Sequence, residues 1–408
     1  MIYTCVDLGS HSIKIVVLER INDKFHVIAS TKVRSMGIKK GVIKDKELAL
    51  KSLEEAIFNI NDMLGIDIKK VLLSFPLFGL NTTIESSDIL VSSVVEGVNI
   101  QEVLNKVVEE NVPKNLEVVY LEPIVFSLDD DLQVVDPKGL TCEKLEVRAA
   151  ISTIDKRFLY EYLELLGSSG LEVVDITYSL VGDYFNSVNR DILKELGVVV
   201  NIGYGKTEIA IFNKGIMLKG SILPFGSQKI DKDISYIYKT DKKEAIKLKE
   251  NFAVASSKYA DKNDIMEITS ISGDRIDVNQ LEVSQVVEAR LFEMIKSVKN
   301  AINNLTNRKI SYIIVTGGIT NLVGFPYLMD EMFNYENKII PNITSLGVRS
   351  NVYTSSLGLI KYFDNKMKFR NIDFTMINDE DKNELTSKKK KGNTRESLIN
   401  KFSEYLKS

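Results

Sequence analysis

Cysteine and histidine are scarce in this chain of 408 residues, and tryptophan is absent. The two cysteines, Cys5 and Cys142, lie far apart in apolar surroundings without CxxC spacing. That excludes a disulfide framework and a cysteine-based zinc site, and it fits a reducing compartment. His11 and His26 are too few and too poorly partnered for a histidine metal centre. No run approaches the ~18 apolar residues of a membrane span. No basic segment followed by an apolar core opens the sequence, so no signal peptide is expected. The formal net charge is −3, which gives no overall pull toward nucleic acid, and none is expected as a partner. What remains, 44% hydrophobic and 27% charged residues, is the composition of a globular protein long enough for two or more domains.

The chain opens with three runs rich in β-branched residues, 2–8, 12–19 and 25–33, separated by short polar turns. A helix is expected over 45–64, with Leu48, Leu53, Ile57, Ile60 and Leu64 on one face and Gly65 closing it. A strand at 69–75 follows, stopped by Pro76. The same order restarts at 197, with strands 197–202, 207–212 and 216–223, a long helix near 282–306 and a strand 311–316 running into Gly317 and Gly318. Superposing the two hairpins puts Asp7 on Asn201, Gly9 on Gly203, Ile15 on Ile209 and Val17 on Ile211. An internal duplication of an α/β unit accounts for this, with a ligand expected in the cleft between the halves. Two stretches interrupt the halves, 77–157 and 227–281, the second holding a helix at 241–252 and a hairpin turning at Gly273.

The segment NIGYGKTEI carries Gly205, Lys206 and Thr207, the last letters of a P-loop. Val200 occupies the position where that loop needs glycine, and the residues after Thr207 alternate as a strand instead of opening a helix. The two matched hairpins suit a different phosphate scheme. Each short turn exposes backbone N–H groups that can cup phosphate oxygens, and a carboxylate at the strand end can hold Mg²⁺ through its waters. In the first hairpin these parts are Asp7, Gly9, Ser10 and Lys14; in the second they are Asn201, Gly203, Gly205, Lys206 and Thr207. Gly317, Gly318 and Ile319 would let a flat base approach the backbone. Glu244 and Lys247, three apart on one helix face, are placed for a ribose, although taken alone they read first as a solvated ion pair.

These pieces, in this order, resemble the actin-like ATPase superfamily of actin, Hsp70 chaperones and sugar kinases. Residues 1–363 look most like the FtsA family of bacterial cell-division proteins, through PKGLTCEKLEVRAAIST at 137–153, SLVGDYF before the second loop, EAIK at 244–247 and VVEARLFEMI at 286–295. The resemblance implies an α/β, actin-like (duplicated RNase H-like) fold of two lobes and four subdomains: 1A over 1–78 and 158–196, an inserted 1C over 79–157, 2A over 197–225 and 307–363, and 2B over 226–306. It implies ATP and Mg²⁺ as ligands, self-association into a filament, and attachment of FtsZ filaments to the inner face of the cell membrane. The FtsZ C-terminal peptide would bind 2B, where Arg290 matches a family arginine, and 1C would meet later division proteins.

The family usually begins its second phosphate loop with Asp, and here Asn201 stands, with Glu208 after the threonine. An amide oxygen can accept a bond from a metal-bound water but brings no charge. Asp7 and Asn201 are thus the candidates for orienting metal-bound water, with Asn201 the weaker. ATP binding with slow or absent hydrolysis is expected, Lys206 partly replaces metal charge against phosphate, and Asn201→Asp should raise any Mg²⁺-dependent turnover.

Residues 364–394 read as a disordered polar linker, and 395–408 as a membrane-targeting amphipathic helix. Leu398, Ile399, Phe402, Tyr405 and Leu406 share one helical face. Arg395, Lys401, Lys407 and the lysines at 388–391 supply charge toward an anionic lipid membrane. The alternatives are a related scaffold such as PilM and a kinase or phosphatase of the same fold; the tail argues against the first and Asn201 against the second.

Overall fold

The computed structural model describes residues 1–78, 81–129, 131–189, 192, 195–345 and 347–392. The first lobe is entered through β1 (Ile2–Leu8), β2 (Ser12–Ile21) and β3 (Lys24–Arg34), an antiparallel meander. Helix α1 (Lys46–Leu64) follows. Asp45 caps it by accepting from the Leu48 N–H, and Gly65 ends it in the left-handed region at φ 72°. Its buried face is Ala49, Leu53, Ala56, Ile60 and Leu64, so alanines replace the expected Leu48 and Ile57. Strand β4 (Lys70–Phe75) then lies parallel to β1.

The insertion forms its own four-stranded sheet from β5 (Asn81–Leu90), β6 (Leu116–Leu128), β7 (Leu132–Val134) and β8 (Lys144–Asp155), in the order β5-β8-β6-β7. Helix α2 (Gly97–Asn111) packs Ile100, Val103, Leu104 and Val107 into a separate apolar cluster with Phe126, Leu145 and Val147. Helix α3 (Lys156–Ser168), β9 (Glu172–Tyr178) and α4 (Ser179–Ser187) return the chain to the first lobe, and β9 completes its five-stranded sheet beside β4.

The second lobe repeats the plan with β10 (Leu196–Ile202), β11 (Thr207–Asn213) and β12 (Ile216–Leu223). Its insertion holds α5 (Gln228–Ile237), α6 (Lys242–Asn251), a hairpin of β13 (Ile265–Thr269) and β14 (Arg275–Asn279), and α7 (Gln280–Leu305). Strand β15 (Tyr312–Thr316), α8 (Phe325–Met332) and β16 (Asn337–Ile339) follow, then α9 (Thr354–Phe369) and α10 (Asp379–Gly392). The two five-stranded sheets run β9-β4-β1-β2-β3 and β12-β11-β10-β15-β16. In both, three antiparallel strands are followed by two parallel ones, so the duplication read from a few matched residues is repeated in topology.

Two helices join the lobes. Helices α4 and α9 cross so closely that a Cβ on Gly358 would strike the Gly182 carbonyl, and one on Gly182 the Ser355 carbonyl. Only glycine permits that approach. Strand alternation explains which residues meet these helices. On β10, Val198, Val200 and Ile202 enter the second lobe's own core, while Val199 faces the α4 side. Asn201 falls on the Val199 face.

The linker expected from 364 is corrected. Asp364 is buried inside α9, accepts a hydrogen bond from the Tyr3 hydroxyl at 2.7 Å and pairs with Arg20 at 3.1 Å. Met376 and Ile377 are buried too, and the Met376 N–H bonds the Ile2 carbonyl. The body of the protein therefore runs to about residue 377, and α10 follows it. The amphipathic stretch with Leu398, Ile399, Lys401, Phe402, Tyr405 and Leu406 lies outside the described residues.

Candidate functional site

Between the lobes lies a cavity of about 560 Å³, walled by the turns of both hairpins. Asp7, Gly9, Ser10 and Lys14 line it from the first lobe; Asn201, Gly203, Gly205 and Lys206 from the second; Gly317, Gly318 and Ile319 from the turn after β15. Eleven of the fourteen residues singled out for a phosphate, base or ribose are brought together here.

The hairpin turns are held open to a ligand by glycine. A Cβ on Gly203 would sit 3.0 Å from the Lys206 carbonyl, and one on Gly9 2.8 Å from the Ser12 carbonyl. Gly317 has φ +96° and its Cβ would meet the Ile202 carbonyl, so this turn admits glycine alone. The turns also touch each other. The His11 ring packs edge-on against Tyr204, centroids 4.6 Å apart. Burial, with nearby Lys249, pushes the His11 imidazole down to about 4, so it sits in the wall as a neutral ring.

The two strand ends are charged differently. Asp7 and Lys14 are cross-strand neighbours joined at 2.5 Å, with side chains 17% and 10% exposed. The equivalent cross-strand pair is Asn201 and Glu208. Glu208 does not meet Asn201. Its carboxylate accepts from the Leu77 N–H at 2.5 Å and pairs with Lys206 at 2.9 Å. Lys206 also donates to the Leu77 carbonyl at 2.8 Å. One residue of the first lobe is thus clasped through both backbone groups by the second. Lys206 lines the cavity, but its charge is committed to Glu208, which corrects the expectation that it substitutes for metal charge.

Asn201 instead donates from Nδ2 to Asp183 of α4 at 2.7 Å. Asp183 is fully buried and its other oxygen accepts from the Ser355 hydroxyl at 2.8 Å. Burial pushes its carboxyl up to about 7, against the lowering effect of hydrogen bonds with Asn201, Ser355 and Thr316. Asp183 lies in the SLVGDYF segment but was missed as a site residue because its role depends on α4 crossing β10, a contact that no local signal marks.

Three candidates do not reach the cavity wall. Thr207 is buried and its hydroxyl bonds the Phe225 carbonyl at 3.0 Å; strand alternation turns it from the cleft. Glu244 and Lys247 form an ion pair at 3.4 Å on the outer face of α6. The end of that helix supplies Lys249, Glu250 and Asn251 to the wall instead, one turn further along than the expected pair. Lys249 is itself tied to buried Asp231 at 2.6 Å. Arg290 on α7 grips Asp233 of α5 through Nε at 2.5 Å and a second nitrogen at 2.9 Å, and also meets Glu293. The geometry is that of a bidentate ion pair joining two helices.

Whether the wall fits Mg²⁺ and a nucleotide can be tested on its donors. Among the described residues no group of three or more His, Cys, Asp or Glu gathers to hold a metal. Asp7 and Glu208 both line this end of the cleft beside the Asn201 amide, Glu208 being tied to Lys206 and the Leu77 N–H, and the Ser10 hydroxyl, which accepts from the Gly41 N–H at 3.0 Å, keeps its own proton to donate. A hard cation held by one carboxylate, waters and phosphate oxygens is the usual Mg²⁺ arrangement, so the residues fit.

Residues 198–358 match the family model described as cell division protein FtsA, and residues 82–153 match that of the SHS2 domain inserted in FtsA. The chain is 28% identical to a cell division protein FtsA of Staphylococcus epidermidis, over 98% of this chain and 87% of that protein. It is 27% identical to cell division protein FtsA of Bacillus subtilis, over 88% and 83%. Among solved structures it resembles the PilM-PilN type IV pilus biogenesis complex, with a TM-score of 0.58 and 12% identity over 88% of this chain and 98% of that one. MreB5 of Spiroplasma citri bound to ADP superposes with a TM-score of 0.55 and 15% identity, over 91% and 98%. At these identities the solved structures establish the actin-like fold. The two matched family models span more than half of the chain between them and coincide with the second lobe and the inserted sheet.

Proposed function

Because this chain belongs to the FtsA family of actin-like cell-division proteins, we propose that it binds ATP with Mg²⁺ in the interlobe cleft and works as a membrane-bound scaffold. The observation that carries this reading is the cavity walled by both glycine turns and by Gly317. MreB5, which shares the fold, is recorded with ADP. In the bound state the turns at Gly9 and Gly203 direct backbone N–H groups at phosphate, Ser10 donates to it, and Asp7 takes the metal's water shell. Gly317, Gly318 and Ile319 flank the base. When bound, Mg²⁺ neutralises phosphate charge; the chain's own contribution is to hold both lobes on one ligand. With an amide at 201 where the first lobe has Asp7, and with Glu208 held by Lys206 and the Leu77 N–H, hydrolysis is slow or absent, and ATP acts as a conformational ligand.

The scaffold role extends the reading to partners. Copies associate into a filament on the inner face of the cell membrane at the division site, with the inserted sheet contributing contacts along it and to later division proteins. The subdomain carrying α5 to α7 receives the FtsZ C-terminal peptide near Arg290. The stretch 395–408 lies in an anionic membrane, its weak single-copy affinity raised by assembly. Among the described residues no helix is long and apolar enough to cross a membrane.

The test is a titration with fluorescent ATP, with and without Mg²⁺. Saturable binding tightened by Mg²⁺ supports the reading; absence of binding replaces it with a scaffold that takes no nucleotide. Deleting 395–408 should release the protein from anionic vesicles.

A further inference from the structure

Asn201 stands where the first lobe has Asp7, yet what surrounds it is not a weakened copy of the Asp7 site. Asp7 has a cation, Lys14, at 2.5 Å. Asn201 has a carboxylate, Asp183, at 2.7 Å, and among the described residues no lysine or arginine pairs with Asp183. A carboxylate offers acceptors, so the amide must turn its NH₂ toward Asp183. That leaves Oδ1 between the two turns of the second lobe, 3.8 Å from where a Cβ on Gly203 would lie and 3.0 Å from where one on Gly317 would lie. An aspartate at 201 would instead set two carboxylates at hydrogen-bond distance in a site with no cation to offset them.

We propose that Asp183 and Asn201 are an interlocked pair, in which Asp183 is the positioning residue that fixes the Asn201 amide with its oxygen toward the phosphate end of the cleft. A carboxylate at residue 201 is then opposed by Asp183 for as long as that residue is in place. The expectation that Asn201→Asp alone strengthens the metal side is replaced by a coupled one: the carboxylate must leave 183 when it arrives at 201. The consequence for ATP rests on the nucleotide reading above; the consequence for stability does not.

The test is a four-member cycle on the full chain: wild type, N201D, D183N and N201D/D183N. Each is read by thermal unfolding and by fluorescent ATP titration with and without MgCl₂. D183N keeps an acceptor for the Asn201 amide and should melt near wild type. N201D should lower the unfolding midpoint by roughly 3–5 °C, and the double variant should recover it. N201D should gain no Mg²⁺ dependence over wild type, whereas the double variant, with an amide at 183 donating to a carboxylate at 201, should show at least about tenfold tightening by Mg²⁺. If N201D fails to fold, rescue by D183N reads the same coupling, and failure of both overturns the proposal. Additive melting shifts, or N201D matching the double variant in Mg²⁺ dependence, also overturn it. If none of the four binds ATP while melting remains coupled, the nucleotide reading falls and the interlocked pair stands.

Discussion

The two hairpins that face each other across the cleft share a backbone plan and divide the chemistry unequally. In the first, carboxylate and ammonium are cross-strand neighbours, and the carboxylate stays at the cleft. In the second, the cross-strand positions hold an amide and a carboxylate, and the carboxylate reaches away to Leu77 and Lys206 of the lobe interface. Duplication preserved turns and strand order, which glycine and β-branched residues dictate, while the polar side chains at the same positions diverged. The first pair stays within its own hairpin at the cleft, whereas the second reaches across to hold the lobes together.

The largest way to break this comparison is to remove the axis that relates the halves. Gly358→Ala forces a methyl against the Gly182 carbonyl at the α4–α9 crossing, and should cost about 3 kcal/mol or prevent folding. Thermal unfolding and soluble yield check it. Next is Asp7→Asn, which makes the first turn as uncharged as the second and strips Lys14 of its partner. ATP affinity in Mg²⁺ should fall at least about tenfold, or about 1.4 kcal/mol; a titration unchanged from wild type would move the metal side to the second lobe. Glu208→Gln is milder. It keeps an acceptor for the Leu77 N–H but releases Lys206 from its ion pair. Hydrogen exchange at the Leu77 amide should quicken, with a cost of about 1 kcal/mol, while ATP binding without Mg²⁺ tightens because Lys206 is freed. Smallest is Glu244→Ala. Its ion pair with Lys247 is on the surface and outside the cavity wall, so stability should move by less than about 0.5 kcal/mol and ATP affinity by less than twofold.

What the sequence disclosed follows the same division. Strands β1 to β4 and β10 to β12 were legible because alternation, β-branching and glycine turns are local signals. Gly9 and Gly203 were legible because the hairpins repeat, and Gly317 and Gly318 because two glycines directly follow a buried strand. Asp183 was not, since its meaning lies in a helix crossing a strand. The choice of Glu244 and Lys247 over Lys249 to Asn251 failed by about one helical turn, a matter of how α6 is aimed at the cleft. The end of the body was placed too early because beyond 363 the chain meets the core through only a few scattered residues, Asp364, Met367, Met376 and Ile377, set among charged and polar ones.

The position of α9 also sets an order of events during synthesis. The second lobe's core draws on residues 196 to 333, one unbroken stretch. The first lobe's core needs Tyr353, Leu357, Ile360, Phe363 and Ile377, made last, against strands made first. The half that leaves the ribosome earlier must therefore wait, with Tyr3 and the β1 surface uncovered, until nearly the whole body has emerged. For this chain the usual order of N-terminal domain first should be reversed, and a nascent chain stopped before residue 350 should hold a closed second lobe beside an open first one.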